Sequence, residues 1–189
     1  MRLAYLFAAA AIVAAAPAAA AAQTVMPTDR FTSVELRGGG SIAIRQGPVQ
    51  RVTLVRGDPK LAGFEVNRDG KLIISSCRGV CWGNQRLEVE IVTPELNGVG
   101  IEGGGHIEAH GAFPAQRAVS AVIHGGGDID MKDVPAQTAS AAIHGGGKIF
   151  VTAQNSLSAK IFGGGEIRYL GQPAVSSSIH GGGTISPIR

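Results

Sequence analysis

The sequence predicts an all-β chain whose second half folds as a parallel β-helix, and three observations support this prediction. Three consecutive glycines occur six times, and the last five triplets begin 22, 20, 18 and 18 residues apart. Each of these five lies between two isoleucines, as in Ile123-His-Gly-Gly-Gly-Asp-Ile129. Apolar residues alternate with polar ones on both sides of the triplets. A fixed period near 20 residues is typical of a solenoid.

The alternation separates an inward side of each repeat from an outward side. The inward side of one unit consists of Val119, Ala121, Ile123, Gly125, Gly127, Ile129 and Met131. Two strands, a glycine bend and a turn would form one coil of about 18–22 residues, with residues 133–136 and 153–156 as turns. The first and third glycines would point into a narrow corner of the core. An antiparallel barrel or sandwich is the alternative, although such folds seldom repeat a side-chain pattern so closely.

The segment before the repeats predicts β-strands that cap the coils. Residues 23–95 contain runs rich in Val, Ile, Leu and Thr, and Asp69-Gly70 between two such runs indicates a hairpin. The repeats occupy residues 96–189. Because the apolar face of a single coil cannot be buried alone, we expect residues 23–189 to form one domain.

The first residues resemble a secretory signal peptide. A basic start at Arg2 precedes an apolar, alanine-rich run, and Pro17 is followed by small residues up to Ala22. We therefore expect residues 1–22 to be removed before Gln23, and the protein to be periplasmic, on the outer surface or secreted. An uncleaved anchor is the alternative. No second long apolar run follows, so we expect no membrane span in the mature chain.

Two cysteines, Cys77 and Cys81, stand close together in Cys-Arg-Gly-Val-Cys. In an exported chain such a pair predicts one small disulfide. Free thiols or a metal site are the alternatives, but no further ligands stand nearby in the sequence. The short loop would pin a hairpin locally rather than stabilise the whole fold.

The composition argues against a nucleic-acid partner. The formal net charge is only +3, with 17 basic and 14 acidic residues. The basic residues form no run and do not alternate with aromatic residues, which a nucleic-acid surface would favour.

The chain resembles a bacterial domain family of unknown function, the putative auto-transporter adhesin, head GIN domain. The resemblance rests on Phe31–Gly47, on Gly70–Ser75, on Leu87–Leu96 and on the later repeats. The family repeats Gly-Ser-Gly-Asp-Ile, whereas this chain has Gly for Ser, and Asp survives only at Asp128. The resemblance implies export and a right-handed β-helix. It supplies no catalytic residue.

Histidine recurs at one position of the repeat and suggests a metal site. His124, His144 and His180 each precede a glycine triplet, and neighbours in a stack could share an ion. Phe162 interrupts the series, which favours the interpretation that these are surface positions where different residues are tolerated. Asp128 and Asp130 follow a glycine triplet, but two carboxylates are too few for a calcium cage.

No motif indicates catalysis or a cofactor. Polysaccharide cleavage requires paired carboxylates, or a base with cationic neighbours, whereas the acidic residues of the repeats are spread thinly. The sequence therefore predicts a non-enzymatic, exported interaction module for adhesion or envelope maintenance. Its partner would be a protein or a glycan of the envelope or surface, and a homo-oligomer is left open. The alternative is a carbohydrate-binding or polysaccharide-cleaving β-helix.

Overall fold

The computed structural model describes residues 23–79 and 86–188, which contain fifteen β-strands. The strands are β1 (Thr24–Met26), β2 (Ser33–Gly38), β3 (Ser41–Gln46), β4 (Arg51–Arg56), β5 (Gly63–Val66), β6 (Lys71–Ser75), β7 (Glu88–Thr93), β8 (Gly98–Gly103), β9 (His106–His110), β10 (Gln116–Gly125), β11 (Asp128–Gly145), β12 (Lys148–Gly163), β13 (Glu166–Leu170), β14 (Ala174–Gly181) and β15 (Thr184–Pro187). The described residues contain no α-helix.

All fifteen strands belong to one mixed sheet, and the prediction of a right-handed parallel β-helix is wrong. The sheet runs β1-β4-β7-β3-β9-β11-β10-β8-β2-β6-β5, with β12 to β15 joined through β11 and β12. Strand β4 pairs antiparallel with β1 and β7, and β5 pairs antiparallel with β6, whereas the other pairs are parallel. The sheet curves into a nearly closed, barrel-like body.

The physical reason lies in the segments between the repeats. Residues 133–136 and 153–156 were expected to be turns, but they continue the long strands β11 and β12. Register shifts between Met131 and Pro135, and between Ala136 and Thr138, bend these strands without ending them. The long strands β11 and β12 therefore run without interruption from one wall of the sheet to the other. Turns would have ended each strand between the two walls.

Equivalent residues of successive repeats pair in register in the parallel strand pairs. Ile123 stands beside Ile101 and Ile143, and Ile143 stands beside Ile161. The isoleucines that follow the triplets align in the same way. The inward apolar residues form the core, and these eight isoleucines are at most 1% exposed: Ile101, Ile107, Ile123, Ile129, Ile143, Ile149, Ile161 and Ile167.

The glycine triplets connect the two walls, but their first and third members do not fill a corner of the core. A side chain on Gly145 would collide with the carbonyl oxygen of Gly125, and one on Gly147 with that of Gly127. Both glycines also have positive φ, of 125° and 107°. Around the middle Gly146, a Cβ atom would find nothing within 4 Å. Contact between neighbouring backbones therefore explains the repeated glycines.

Two predictions fall on parts of the chain outside the described residues. The expected signal peptide occupies residues 1–22, and Cys81 lies within residues 80–85. The Cys77–Cys81 disulfide, like the cleavage before Gln23, stays a prediction.

Candidate functional site

One wall of the sheet presents a continuous outward surface, which we call the serine–ring face. It is built from β2, β8, β10 and β14 together with the second halves of β11 and β12. Because side chains alternate along each strand and the strands are in register, equivalent residues form columns across the face. The serine column consists of Ser33, Ser120, Ser140, Ser158 and Ser176, with Gly98 between the first two. The ring column consists of His124, His144, Phe162 and His180.

The rings of the ring column stack on one another across four strands. The centroids of neighbouring rings are 4.8, 4.9 and 5.0 Å apart, and their planes differ by 18°, 13° and 8°. These distances follow the spacing between paired strands. The faces of His144 and Phe162 are therefore covered by neighbouring rings. The column presents ring edges to solvent, although Phe162 is still 42% exposed.

The structure brings two of the three candidate metal ligands together. His124 and His144 are adjacent, whereas Phe162 separates His180 from them. Because the imidazole planes of His124 and His144 are nearly parallel, their in-plane lone pairs do not converge on one point. Within residues 23–79 and 86–188, no three His, Cys, Asp or Glu residues are grouped as a metal site.

A shallow groove runs along the serine column. Its volume is about 820 Å³, and it is lined by Ser120, Ser140, Ser158 and Ser176 together with Arg117 and Thr138. Hydroxyl groups can both donate and accept hydrogen bonds. The column therefore offers equivalent polar groups at the spacing of successive strands.

A second depression, of about 680 Å³, lies beside Gly98, which interrupts the serine column, and Gly100. At its floor the carboxylate of Glu35 accepts a hydrogen bond from Lys71 Nζ at 2.7 Å and also pairs with Arg37 at 2.7 Å. Arg37 in turn contacts Glu102 at 3.1 Å, beside the first ring of the ring column. Four charged side chains thus form a linear ion-pair network, in the order Lys71, Glu35, Arg37 and Glu102.

The environment of Glu35 lowers the pKa of its carboxyl group. Partial burial, the largest single influence, raises the pKa, but the hydrogen bonds and charges of Lys71 and Arg37 together outweigh it. The side chain of Glu35 is only 15% exposed. It is therefore an ionised structural partner at neutral pH, unlike a general acid, which must hold a proton.

We expect this ion-pair network to make the stability of the protein sensitive to acid. Because the pKa of Glu35 is lower in the folded protein, its contribution is present above the ordinary value of 4.5 and is lost as pH falls through the folded value. Glu35→Gln should therefore destabilise the protein near neutrality, and the difference from wild type should shrink below about pH 4.5. Urea denaturation at a series of pH values measures the difference in the free energy of unfolding between the variant and wild type.

A partner variant provides the control for the pH experiment. Lys71→Met removes a cation that lowers the pKa of Glu35, so the acid-induced loss should begin at higher pH than in wild type. A constant stability difference between Glu35→Gln and wild type from pH 7 to pH 3 would contradict the assignment.

The opposite wall carries mixed charges rather than a polar column. Asp128, Lys148 and Glu166 alternate in sign across neighbouring strands. Asp130, which the sequence suggested beside Asp128, is paired with Lys132 at 2.7 Å. These three acidic residues are therefore placed beside lysines.

Sequence reasoning missed the serine column and the network around Glu35. The serines could have been found, because Ser120, Ser140 and Ser158 hold equivalent places in the repeat. The network could not, since Glu35 and Lys71 are 36 residues apart and neither belongs to a repeated unit.

The family described as putative auto-transporter adhesin, head GIN domain, matches residues 30–119 and 115–173. The chain belongs to this family. The resemblance expected from the sequence is thereby confirmed, and the family domain includes most of the serine–ring face. The family description names adhesion without naming a ligand.

Solved structures also resemble the chain. A putative adhesin from Bacteroides fragilis NCTC 9343 is 19% identical, with 88% of this chain and 96% of that chain covered and a TM-score of 0.52. A putative adhesin from Parabacteroides merdae ATCC 43184 is 16% identical, with 89% and 96% covered and a TM-score of 0.37. A putative lipid binding protein from Parabacteroides distasonis ATCC 8503 is 18% identical, with 89% and 96% covered and a TM-score of 0.35. Because the sequence identity is only 19%, the similarity to the Bacteroides fragilis structure supports the fold alone.

No curated protein matches the sequence. Across the described ranges, no helix is long and apolar enough to cross a membrane.

Proposed function

We propose that this protein is an exported, non-enzymatic interaction module. It binds its partner through the serine–ring face. The observation that carries the proposal is the continuity of that face. Serine hydroxyls and stacked rings repeat in register over four neighbouring strands, beside an open groove. Such a surface suits contact with an extended partner better than enclosure of a small molecule.

The charged groups support binding rather than cleavage. Glycoside cleavage would need a carboxylic acid with a raised pKa beside a second carboxylate. Two carboxylates line the depression: Glu35 has a lowered pKa and is held by two cations, and Glu102 is paired with Arg37. On the opposite wall Glu88 and Glu90 are paired with Arg56 and Arg45. These carboxylates serve as ion-pair partners.

The family description and the name of a solved relative support a role in adhesion. The family is described as an adhesin head domain, and the solved relative from Bacteroides fragilis is called a putative adhesin. Adhesion requires contact outside the cytoplasm, which agrees with the expected signal peptide and with a periplasmic, surface or secreted location. The partner is an envelope or surface component, protein or glycan.

The proposal predicts that one substitution in the groove weakens adhesion strongly. Ser140 is exposed and lies in the middle of the serine column, so Ser140→Arg places a long charged side chain across it. We expect beads coated with this variant to bind intact bacterial cells about tenfold more weakly than beads coated with wild type, since a central contact is blocked. Cell counts per bead measure the effect, and a glycan array reports whether sugars are bound.

Thr184→Arg is the matched control, because Thr184 is exposed on the opposite wall. We expect this variant to bind as wild type does. Equal loss in both variants, or no loss in either, would contradict the choice of face. Release of new reducing ends from polysaccharides by the purified protein would contradict the non-enzymatic assignment.

A further inference from the structure

The C-terminal end of the sheet leaves the edge of strand β14 open. In the described part of the chain, β14 pairs with β12 on one side and with no strand on the other. Its inward residues Val175 and Ile179 are 40% and 43% exposed. Their equivalents one strand earlier, Leu157 and Ile161, are 1% and 0% exposed because β14 covers them. One further strand paired with β14 would cover Val175 and Ile179 in the same way.

The orientation of the backbone shows which groups are free on this edge. The Ser120 N–H donates to Asn97 O on the side of the preceding strand, and Ser176 occupies the equivalent place in β14. The Gly182 N–H likewise donates to Gly163 O. Because backbone groups alternate along a strand, the N–H and C=O of Val175, Ser177 and Ile179 point away from β12. The open edge thus carries a row of unpaired donors and acceptors.

This edge lacks the features that commonly prevent strand pairing. Natural edge strands are often very short or carry charged residues or proline. No Asp, Glu, Lys or Arg occurs from residue 171 to residue 188. The neighbouring edge strand β15 differs, since Pro187 removes an N–H from the side away from β13. At the other end, β1 has three residues and β5 has four.

We propose that β14 is a homodimer interface, in which it pairs antiparallel with β14 of a second copy around a two-fold axis at Ser177. The sequence of β14 is complementary to itself in this register. Val175 lies opposite the partner's Ile179, and Ile179 opposite the partner's Val175. All four side chains point to the core side, and Ser176 lies opposite the partner's Ser178.

The backbone directions fit the same register. In an antiparallel pair, residues that exchange both hydrogen bonds alternate with residues that exchange none. Ser177 would bond the partner's Ser177, and the two pairs of Val175 with Ile179 would bond likewise, so each outward-facing group of these residues finds a partner. A two-fold axis closes the assembly as a dimer, because the same edge is used by both copies.

Cross-linking tests both the dimer and its register. In a bonded antiparallel pair the Cα atoms are about 5.5 Å apart, within the range that a disulfide spans. Ser177→Cys should therefore give a covalent dimer on mild oxidation. Ser178→Cys is the control, because it would lie opposite the partner's Ser176 and too far from its own counterpart. Equal cross-linking of the two variants, or none in Ser177→Cys, would overturn the register.

Sedimentation of the purified protein tests the interface by a second route. Wild type should be dimeric, and the double variant Val175→Lys/Ile179→Lys should be monomeric, because two like charges would meet at each contact. Val175→Lys combined with Ile179→Glu should restore the dimer through opposite charges. These positions are exposed in one copy, so the variants should keep wild-type secondary structure. A monomeric wild type, or a dimer that persists in the double-lysine variant, would overturn the proposal.

Discussion

Replacing Gly145 by alanine should lower the free energy of unfolding by about 3 kcal/mol or more. The new Cβ atom would meet the carbonyl oxygen of Gly125 on the neighbouring strand. The residue would also be forced to a φ of 125°, which side-chain-bearing residues rarely adopt. Each effect is worth roughly 1–3 kcal/mol, and the backbone oxygen cannot move aside without breaking its hydrogen bond to Gly146 N–H. Urea denaturation, with the slope compared as well as the midpoint, measures the change.

Gly146→Ala is the control within the same triplet. Nothing lies within 4 Å of its Cβ position, so we expect a change within about 0.5 kcal/mol. His144→Ala, on the neighbouring outward position, should also cost little. If Gly146→Ala or His144→Ala destabilised the protein as much as Gly145→Ala, the described stacking of the triplets would be wrong.

Replacing Ile143 by alanine should destabilise the protein by roughly 2–5 kcal/mol. This side chain is fully buried and lies between Ile123 and Ile161 in the middle of the core. Truncation removes apolar contacts and leaves a cavity that strands held on both sides cannot close. The midpoint of denaturation should therefore fall steeply.

Ile179→Ala provides the matched comparison, because the two residues hold the same position in the repeat. Ile179 is 43% exposed on the edge strand, so we expect a loss of only about 1 kcal/mol. The comparison requires a protein concentration low enough to keep the chain monomeric, since the proposed dimer would bury Ile179. Equal losses at the two positions would contradict the placement of β14 at an open edge.

The repeat determined much of the local structure by itself. Because side chains alternate in a strand and equivalent residues pair in register, the isoleucines around the four triplets between residues 103 and 165 were correctly placed in the core. The outward position of His124 and His144 followed from the same alternation. The family, too, could be identified from the spacing and from the N-terminal strands.

The tertiary structure decided how these strands are arranged in a curved, nearly closed sheet. Residues 133–136 have the composition of a turn, yet they remain in β11. Pro135 and Ala136 pair with Thr152 and Ala153 of β12, and this pairing satisfies backbone groups that a turn would leave to solvent. The antiparallel pairing of β4 with β1 and β7 depends on contacts between distant residues, which periodicity does not encode. The antiparallel pair of β5 and β6 is the local hairpin that Asp69-Gly70 predicted.

For the candidate site, too, the sequence predicted one part and only the tertiary structure revealed the rest. Sequence spacing predicted a column of rings, but only the structure showed that neighbouring ring planes are nearly parallel and therefore stack instead of converging on an ion. The network of Glu35, Lys71 and Arg37 arises because β2 and β6 lie side by side. The sequence alone thus determined which side chains face inward or outward, since that depends on local alternation. Which distant residues meet depends on how the whole sheet curves, so only the tertiary structure could decide it.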